Sequence, residues 1–327
     1  MVTLALLLLT AACSTQDTPT NQSAAQADPA PTETLRLGYI STGSGGKTPI
    51  GPTGWAIHEN ILAPELKDAG VAANVQLVPF PNGPDLNEAL TAGELDVGIY
   101  GDTPAIVAKA TGLETRLIAQ EQVGMNVWLV TPPNGVKAIA DLRGKTISTQ
   151  RGSYMHRYLI SVLQDAGLNQ TVSVVHLSAK DAQAALERGD IAAYAAPIGL
   201  GPLLVSKGFP LIDQAQDHPN LSGTSVVVAT QTFLKQHPDF PRIWNQIRRE
   251  SVQNLKANSE AFYQFQSEAT GFPIDVVKAS YPLDQFPDTA FPAEGITLLE
   301  ATKKFLVSQG LAKSDFQIND WIAPESR

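Results

Sequence analysis

The stretch Leu95-Asp-Val-Gly-Ile-Tyr-Gly-Asp-Thr-Pro-Ala-Ile-Val-Ala-Lys-Ala-Thr-Gly112 is a strand feeding a helix. Residues 95–99 read as the strand. Residues 103–109 read as the helix, with Pro104 in the first turn, where a missing N–H has no intrahelical bond to lose. The same succession runs outward in both directions. Upstream are strands at 35–40 and 75–78 and helices at 55–67 and 84–92, the first with Trp55, His58, Leu62 and Leu66 at helical spacing. Downstream are strands at 117–119, 127–130, 146–149, 172–176, 191–195 and 226–229. Helices lie between them at 154–166, 179–188 and 203–207, the first two stopped by Gly167 and Gly189. From Phe240 onward the pattern is helical, with Pro and Gly breaks. Strands alternating with helices predict an α/β fold with mainly parallel sheets flanked by helices. The run from Glu88 to Gly98 is echoed by that from Ala184 to Ala193: helix, glycine stop, acid, strand. Two similar lobes are expected.

Bulk properties narrow the function. A chain of 327 residues is long enough for two domains. Its net charge of −9 argues against nucleic-acid binding, which wants a basic surface. No segment reaches the roughly 18 apolar residues of a spanning helix. Cys13 is the only cysteine, so no intrachain disulfide or CxxC pair forms. The five histidines are scattered without HExxH spacing. No metal site and no cofactor are expected.

The first residues read as a processing signal. An apolar run from Leu4 to Leu9 leads into Thr10-Ala-Ala-Cys13, which resembles a bacterial lipobox. Residues 1–13 are then a signal peptide, Cys13 is the lipidated mature N-terminus, and 14–34, rich in Ser, Thr, Pro, Gln and Ala, is a flexible tether. No Lys or Arg precedes Cys13, so the true start is expected upstream.

Two loops carry candidate chemistry. Ser41-Thr-Gly-Ser-Gly-Gly-Lys-Thr48 nearly matches a phosphate-binding loop, but Pro49, Gly51, Pro52 and Gly54 are expected to interrupt the helix such a loop needs. A ligand-contacting loop is expected instead. Ser153 opens one helix and Asp102 another. Each is either a plain N-cap or part of an anion cradle made by helix-start amides.

The segment 95–112 resembles the aliphatic-sulfonate, taurine and nitrate-binding family of ABC importers. So do Arg36 to Tyr39, Gly54-Trp55-Ala56, Gly83 to Leu90, Asp141 to Ile147 with Gly152-Ser153, and Ala166-Gly167-Leu168. The resemblance implies a two-lobed periplasmic-binding-protein fold, type II-like, with ligand in the inter-lobe cleft. The first lobe is expected to hold 35–126 plus 226–327, and the second 127–225. Thr42, Gly43, Ser44, Gly45, Tyr100, Gly101, Asp102, Thr103, Ser153 and Tyr154 are implied as cleft-facing, with Tyr194 lining an apolar tail. The implied protein is an extracytoplasmic substrate-binding lipoprotein at the periplasm or cell surface. It is a monomer that takes a small anion, an organosulfonate first, and delivers it to a membrane permease. Nitrate, a thiamine-pyrimidine precursor, a non-transport sensor and an enzyme on the same fold are the alternatives. The family often carries acids in the stretch after Ile191, whereas no Asp or Glu occurs here between Asp190 and Asp213. That departure leads to the expectation that the ligand lacks an ammonium group.

Overall fold

Leu35, Leu37 and Tyr39 alternate along the first strand and are all buried, so one face of it is core. In the computed structural model, which describes residues 33–43 and 46–326, this strand is the second of a five-stranded sheet. The signal peptide, Cys13 and the tether up to Thr32 lie outside the described residues, as do Ser44 and Gly45. Thr34, expected at the end of the tether, is already strand, and the Glu33 carbonyl accepts from Ala73 N at 3.0 Å.

The strands in chain order are β1 (Thr34–Ile40), β2 (Asn74–Phe80), β3 (Val97–Gly101), β4 (Thr115–Met125), β5 (Trp128–Val130), β6 (Thr146–Thr149), β7 (Ser173–His176), β8 (Ala193–Ala196), β9 (Leu211–Gln214) and β10 (Gly223–Thr230). The helices are α1 (Gly51–His58), α2 (Leu62–Asp68), α3 (Gly83–Thr91), α4 (Asp102–Ala110), α5 (Tyr154–Asp165), α6 (Ala179–Arg188), α7 (Leu200–Ser206), α8 (Gln231–Gln236), α9 (Phe240–Ala257), α10 (Ser259–Thr270), α11 (Ile274–Ser280), α12 (Ala293–Ser308) and α13 (Ile318–Trp321).

The first sheet has the order β2-β1-β3-β10-β4 and the second β7-β6-β8-β5-β9. In each, three strands run parallel, and β10 or β5 then lies antiparallel to both its neighbours. The sheets are therefore mixed. The inserted strand is the one the chain lays down on arriving from the other sheet. Asn126-Val127 leads from β4 into β5, and residues 215–222 lead from β9 into β10. Separate apolar clusters pack both faces of each sheet, Leu37 with Trp244 and Leu86 with Trp321 on the first, Ile147 with Leu159 and Leu186 with Leu204 on the second. A further cluster holds Trp55, Phe262 and Phe286 among α1, α9 and α10.

Three local expectations are corrected. The helix expected over 55–67 breaks into α1 and α2 because Asn60 adopts the left-handed conformation, φ 54°. The Pro and Gly residues after Thr48 do not prevent a helix: α1 starts at Gly51, Pro52 fills its first turn, and Gly54 passes under the Pro49 carbonyl, where an added Cβ would sit 1.9 Å from the oxygen. That helix still starts beyond Lys47 and Thr48. Strand β9 was not anticipated, since Leu211-Ile-Asp-Gln214 is too short and mixed to read as one.

Gly223 opens β10 beneath the Tyr154 ring, where an added Cβ would lie 2.6 Å from Cγ and Cδ2. Tyr154 is buried and its hydroxyl accepts from Ile198 N, so it has little room to retreat. Gly223→Ala should therefore destabilise the chain by about 1–3 kcal/mol. The check is a lowered urea midpoint at unchanged m-value. An unchanged midpoint would mean that the ring swings aside freely.

Candidate ligand-binding cavity

Parallel strands end in loops that lead into helix N-termini, and both sheets direct such ends into one cavity of about 690 Å³. Ser41 to Gly43 follow β1, Pro81 to Pro84 follow β2, and Gly101 ends β3. From the second sheet come Gln150 to Met155 after β6, Ala179 and Lys180 after β7, and Pro197 and Ile198 after β8. Ile99, Tyr100, Met125, Met155, Leu200, Leu203, Phe272 and Phe286 make most of the wall apolar.

Thr42, Gly43, Tyr100, Gly101, Ser153 and Tyr154 line this cavity. Asp102, Thr103 and Tyr194 do not. Asp102 is fully buried and turned into the protein, where its carboxylate accepts from Thr103 Oγ1 at 2.9 Å, Thr302 Oγ1 at 3.1 Å and Thr224 N at 3.3 Å. Burial raises its carboxyl above the ordinary range, against the pull of nearby Arg157. Tyr194 packs into the cluster of Trp128, Leu186 and Leu200.

The helix starts differ in what they have left to offer. At α4 the acid of Asp102 sits in the first turn, and Pro104 has no N–H. At α1 Gly51 N donates to Gln266 Oε1 at 3.3 Å, while Thr53 gives its N–H and hydroxyl to Glu121 at 3.1 and 2.9 Å. At α5 the Ser153 hydroxyl donates to Gln150 O at 2.5 Å and accepts from His156 N at 3.3 Å, so it is an N-cap and its one donor is already spent. The amides of Tyr154 and Met155 have no carbonyl four residues back inside the helix. They stand at a cavity edge that also carries Arg151 and Lys180. Burial first, then Arg151 and His176, lowers the pKa of His156 and favours its neutral form.

Glu121 and Gln122 of β4 also line the cavity, and the sequence reading passed over both. The β4–β10 register slips at three places, leaving Ile118, Glu121 and Gly124 with no residue opposite. Such a bulge re-aims side chains, and here it lets two consecutive residues reach the same cavity. The only sequence signal was an acid and an amide beside an apolar strand. The expectation of a ligand without an ammonium group rested on the acid-free stretch after Ile191; that stretch is acid-free, but Glu121 brings an acid to the cavity wall from β4.

Burial raises the Glu121 carboxyl above its ordinary 4.5, with Arg248 and the Thr53 bonds acting in the opposite direction. A raised carboxyl stabilises the fold below its unfolded pKa and loses that contribution as pH rises through the folded value. Glu121→Gln cannot ionise, so its stability relative to the parent chain should rise between about pH 4 and about pH 7. Urea midpoints at both pH values check this. A constant difference would mean that Glu121 ionises as it does in the unfolded chain.

The chain resembles known proteins in sequence and in fold. A putative aliphatic sulfonates-binding protein of Escherichia coli K12 is 36% identical over 126 residues, 38% of this chain and 40% of that protein. One of Bacillus subtilis 168 is 23% identical over 218 residues, 64% of this chain and 66% of that protein. The matched regions thus span less than two thirds of these relatives. Among solved structures, the alkanesulfonate-binding protein SsuA of Xanthomonas axonopodis, bound to MOPS, superposes with TM-score 0.72 at 23% identity, covering 90% of this chain and 99% of that one. A mutant of DszB with biphenyl-2-sulfinic acid superposes with TM-score 0.70 at 17% identity, covering 90% and 97%. The fold is that of the periplasmic binding proteins. The NMT1/THI5-like family model matches residues 66–260, more than half of the sequence, and the chain belongs to that family.

Proposed function

We propose that this chain is the extracytoplasmic substrate-binding protein of an ABC importer and that it captures an organosulfonate in the cavity. The observation that carries the reading is the open start of α5, beside Arg151 and Lys180, at the edge of an otherwise apolar cavity. A sulfonate presents three acceptor oxygens and one charge to such amides, and its tail fills the apolar wall. Each bond from an amide to the charged head contributes about 1.5–3 kcal/mol. Several of them, less desolvation and closure, give affinity near micromolar, roughly −8 kcal/mol. The two likenesses to sulfonate binders support the same head group. Nitrate would leave the apolar wall empty, and a cavity of about 690 Å³ suits a larger ligand.

The lobes of this reading are 35–126 with 226–327, and 127–225. They close on the ligand by a hinge at Asn126-Val127 and at residues 215–222, and the closed form docks on a permease. A lipid on Cys13 tethers the protein to the membrane, at the periplasm or cell surface. An enzyme with the same fold, such as DszB, would consume its ligand, whereas a binding protein returns it unchanged.

Titration calorimetry with a short series of alkanesulfonates should show affinity rising by about 0.8 kcal/mol per CH2 until the cavity is full. Nitrate should bind far more weakly, and no ligand should be turned over. Equal affinity for nitrate and a long-chain sulfonate would overturn the reading. Arg151→Ala should weaken sulfonate binding by about three- to tenfold and flatten its salt dependence. Ser153→Ala should act on stability by about 1 kcal/mol through the lost cap, and little on affinity, because its hydroxyl is already engaged. Separately, Cys13→Ser should release the expressed protein from membranes. Unchanged membrane association in that variant would rule out the lipid anchor.

A further inference from the structure

We propose that Phe272 is the tail gauge of the cavity: its ring closes the apolar end and sets the longest sulfonate tail that the chain accepts. The inference rests on the sulfonate reading of the same cavity and adds to it the residue that selects among sulfonates. Sheet order fixes the two ends. Lys180 follows β7, Arg151 and the open start of α5 follow β6, and Pro197 to Gly199 follow β8, the next strand along. Neighbouring strands lie about 4.8 Å apart, so roughly 5–10 Å separates the charged edge from the loop after β8. A head group held at the first sends its tail toward the second.

Phe272 lies in the turn between α10 and α11 and lines the same cavity. Its ring edge rests on Gly199, where an added Cβ would lie 2.4 Å from Cε2. Gly199 is left-handed, φ 78°, a conformation that favours glycine and here leaves a bare seat for the ring. Gly199 N donates to Ser280 Oγ at 2.8 Å, which ties that seat to α11. The ring itself packs, with Ile198, against the cluster of Trp55, Phe262 and Phe286. Its backbone is held too: Phe272 N donates to Thr270 Oγ1 at 3.3 Å, and the carbonyl accepts from Ser267 Oγ at 2.6 Å. A ring fixed in this way cannot admit one more CH2 without leaving its seat, and a packed wall resists overfilling. The competing role is that Phe272 only joins loops of the two sheets. Losing such a joint would weaken every ligand alike, so chain-length dependence separates the two.

The test is titration calorimetry with linear alkanesulfonates from ethanesulfonate to decanesulfonate. On the unaltered protein, affinity should climb to one chain length and then fall by about fivefold or more as the wall is overfilled. Phe272→Ala should leave the shortest members within about twofold, move the optimum to a longer chain, and gain about fourfold for each newly buried CH2 beyond the former optimum. Phe272→Leu keeps part of the apolar volume and should place the optimum between the two, which preserves the comparison if Phe272→Ala does not fold. Affinity that climbs without a maximum to decanesulfonate on the unaltered protein would overturn the inference without any variant. An unmoved optimum in the variants would also overturn it, and so would a uniform loss along the series, leaving Phe272 as packing between loops. Binding of no member of the series would remove the sulfonate reading itself, and this inference with it.

Discussion

The antiparallel pairing of β10 with β3 and β4 is the constraint on which the rest of the molecule depends. It returns the chain to the first sheet and sets the place where the two sheets meet. Buried charges hold the approach to this strand. Arg157 of α5 donates to the carbonyls of Asn220, Leu221 and Ser222 at 2.8, 3.2 and 2.7 Å. Asp102 of α4 accepts from Thr224 N two residues later. Burying a guanidinium costs several kcal/mol unless its donors are matched, and three carbonyls match most of them. Opposite charges on helices of the two sheets thus grip one short segment, each lowering the cost of burying the other.

The same pairing produces the cavity chemistry. Eleven residues of β4 lie against eight of β10, and the three surplus residues are taken up as register slips. A regular ladder would send Glu121 and Gln122 to opposite faces. The slipped ladder sends both to the cavity. Helix dipoles then divide the labour. Glu121 and Asp102, both supplied by the protein, already meet the positive ends of α1 and α4. At α5 the cap is a neutral hydroxyl and the first turn carries no acid, so no carboxylate of that turn meets its positive end.

Much of the fold was legible because it rests on period and punctuation. Alternating Leu35, Leu37 and Tyr39, the glycine stop at Gly189 and the serine cap at Ser153 all declare themselves locally. What stayed hidden depends on long-range partners. Asn60 is of a type that tolerates the left-handed conformation, but tolerance does not demand a break, and the apolar period of Trp55, His58, Leu62 and Leu66 runs straight across it. Asp102 reads as a helix-start acid open to ligand, but Thr224 and Thr302, far along the chain, draw it inward. Glu121 reads as an unremarkable strand acid, because a register slip is a property of two strands and not of one. The candidate site was therefore legible as a set of loops, and not as a set of side-chain directions.

Tyr154 joins these two levels. Its amide belongs to the open start of α5, its ring packs over Gly223 at the first residue of β10, and its hydroxyl accepts from Ile198 N in the loop after β8. Ligand bound at the helix start would be one residue from the segment through which the chain passes between the sheets. A rigid, buried aromatic in close contact transmits displacement, because packed interiors have few voids to absorb it. Burial keeps its hydroxyl un-ionised, so the link is steric and hydrogen-bonded, not electrostatic. The start of α5 and the crossing segment are thereby in direct packing contact through one side chain, with no intervening chain of residues.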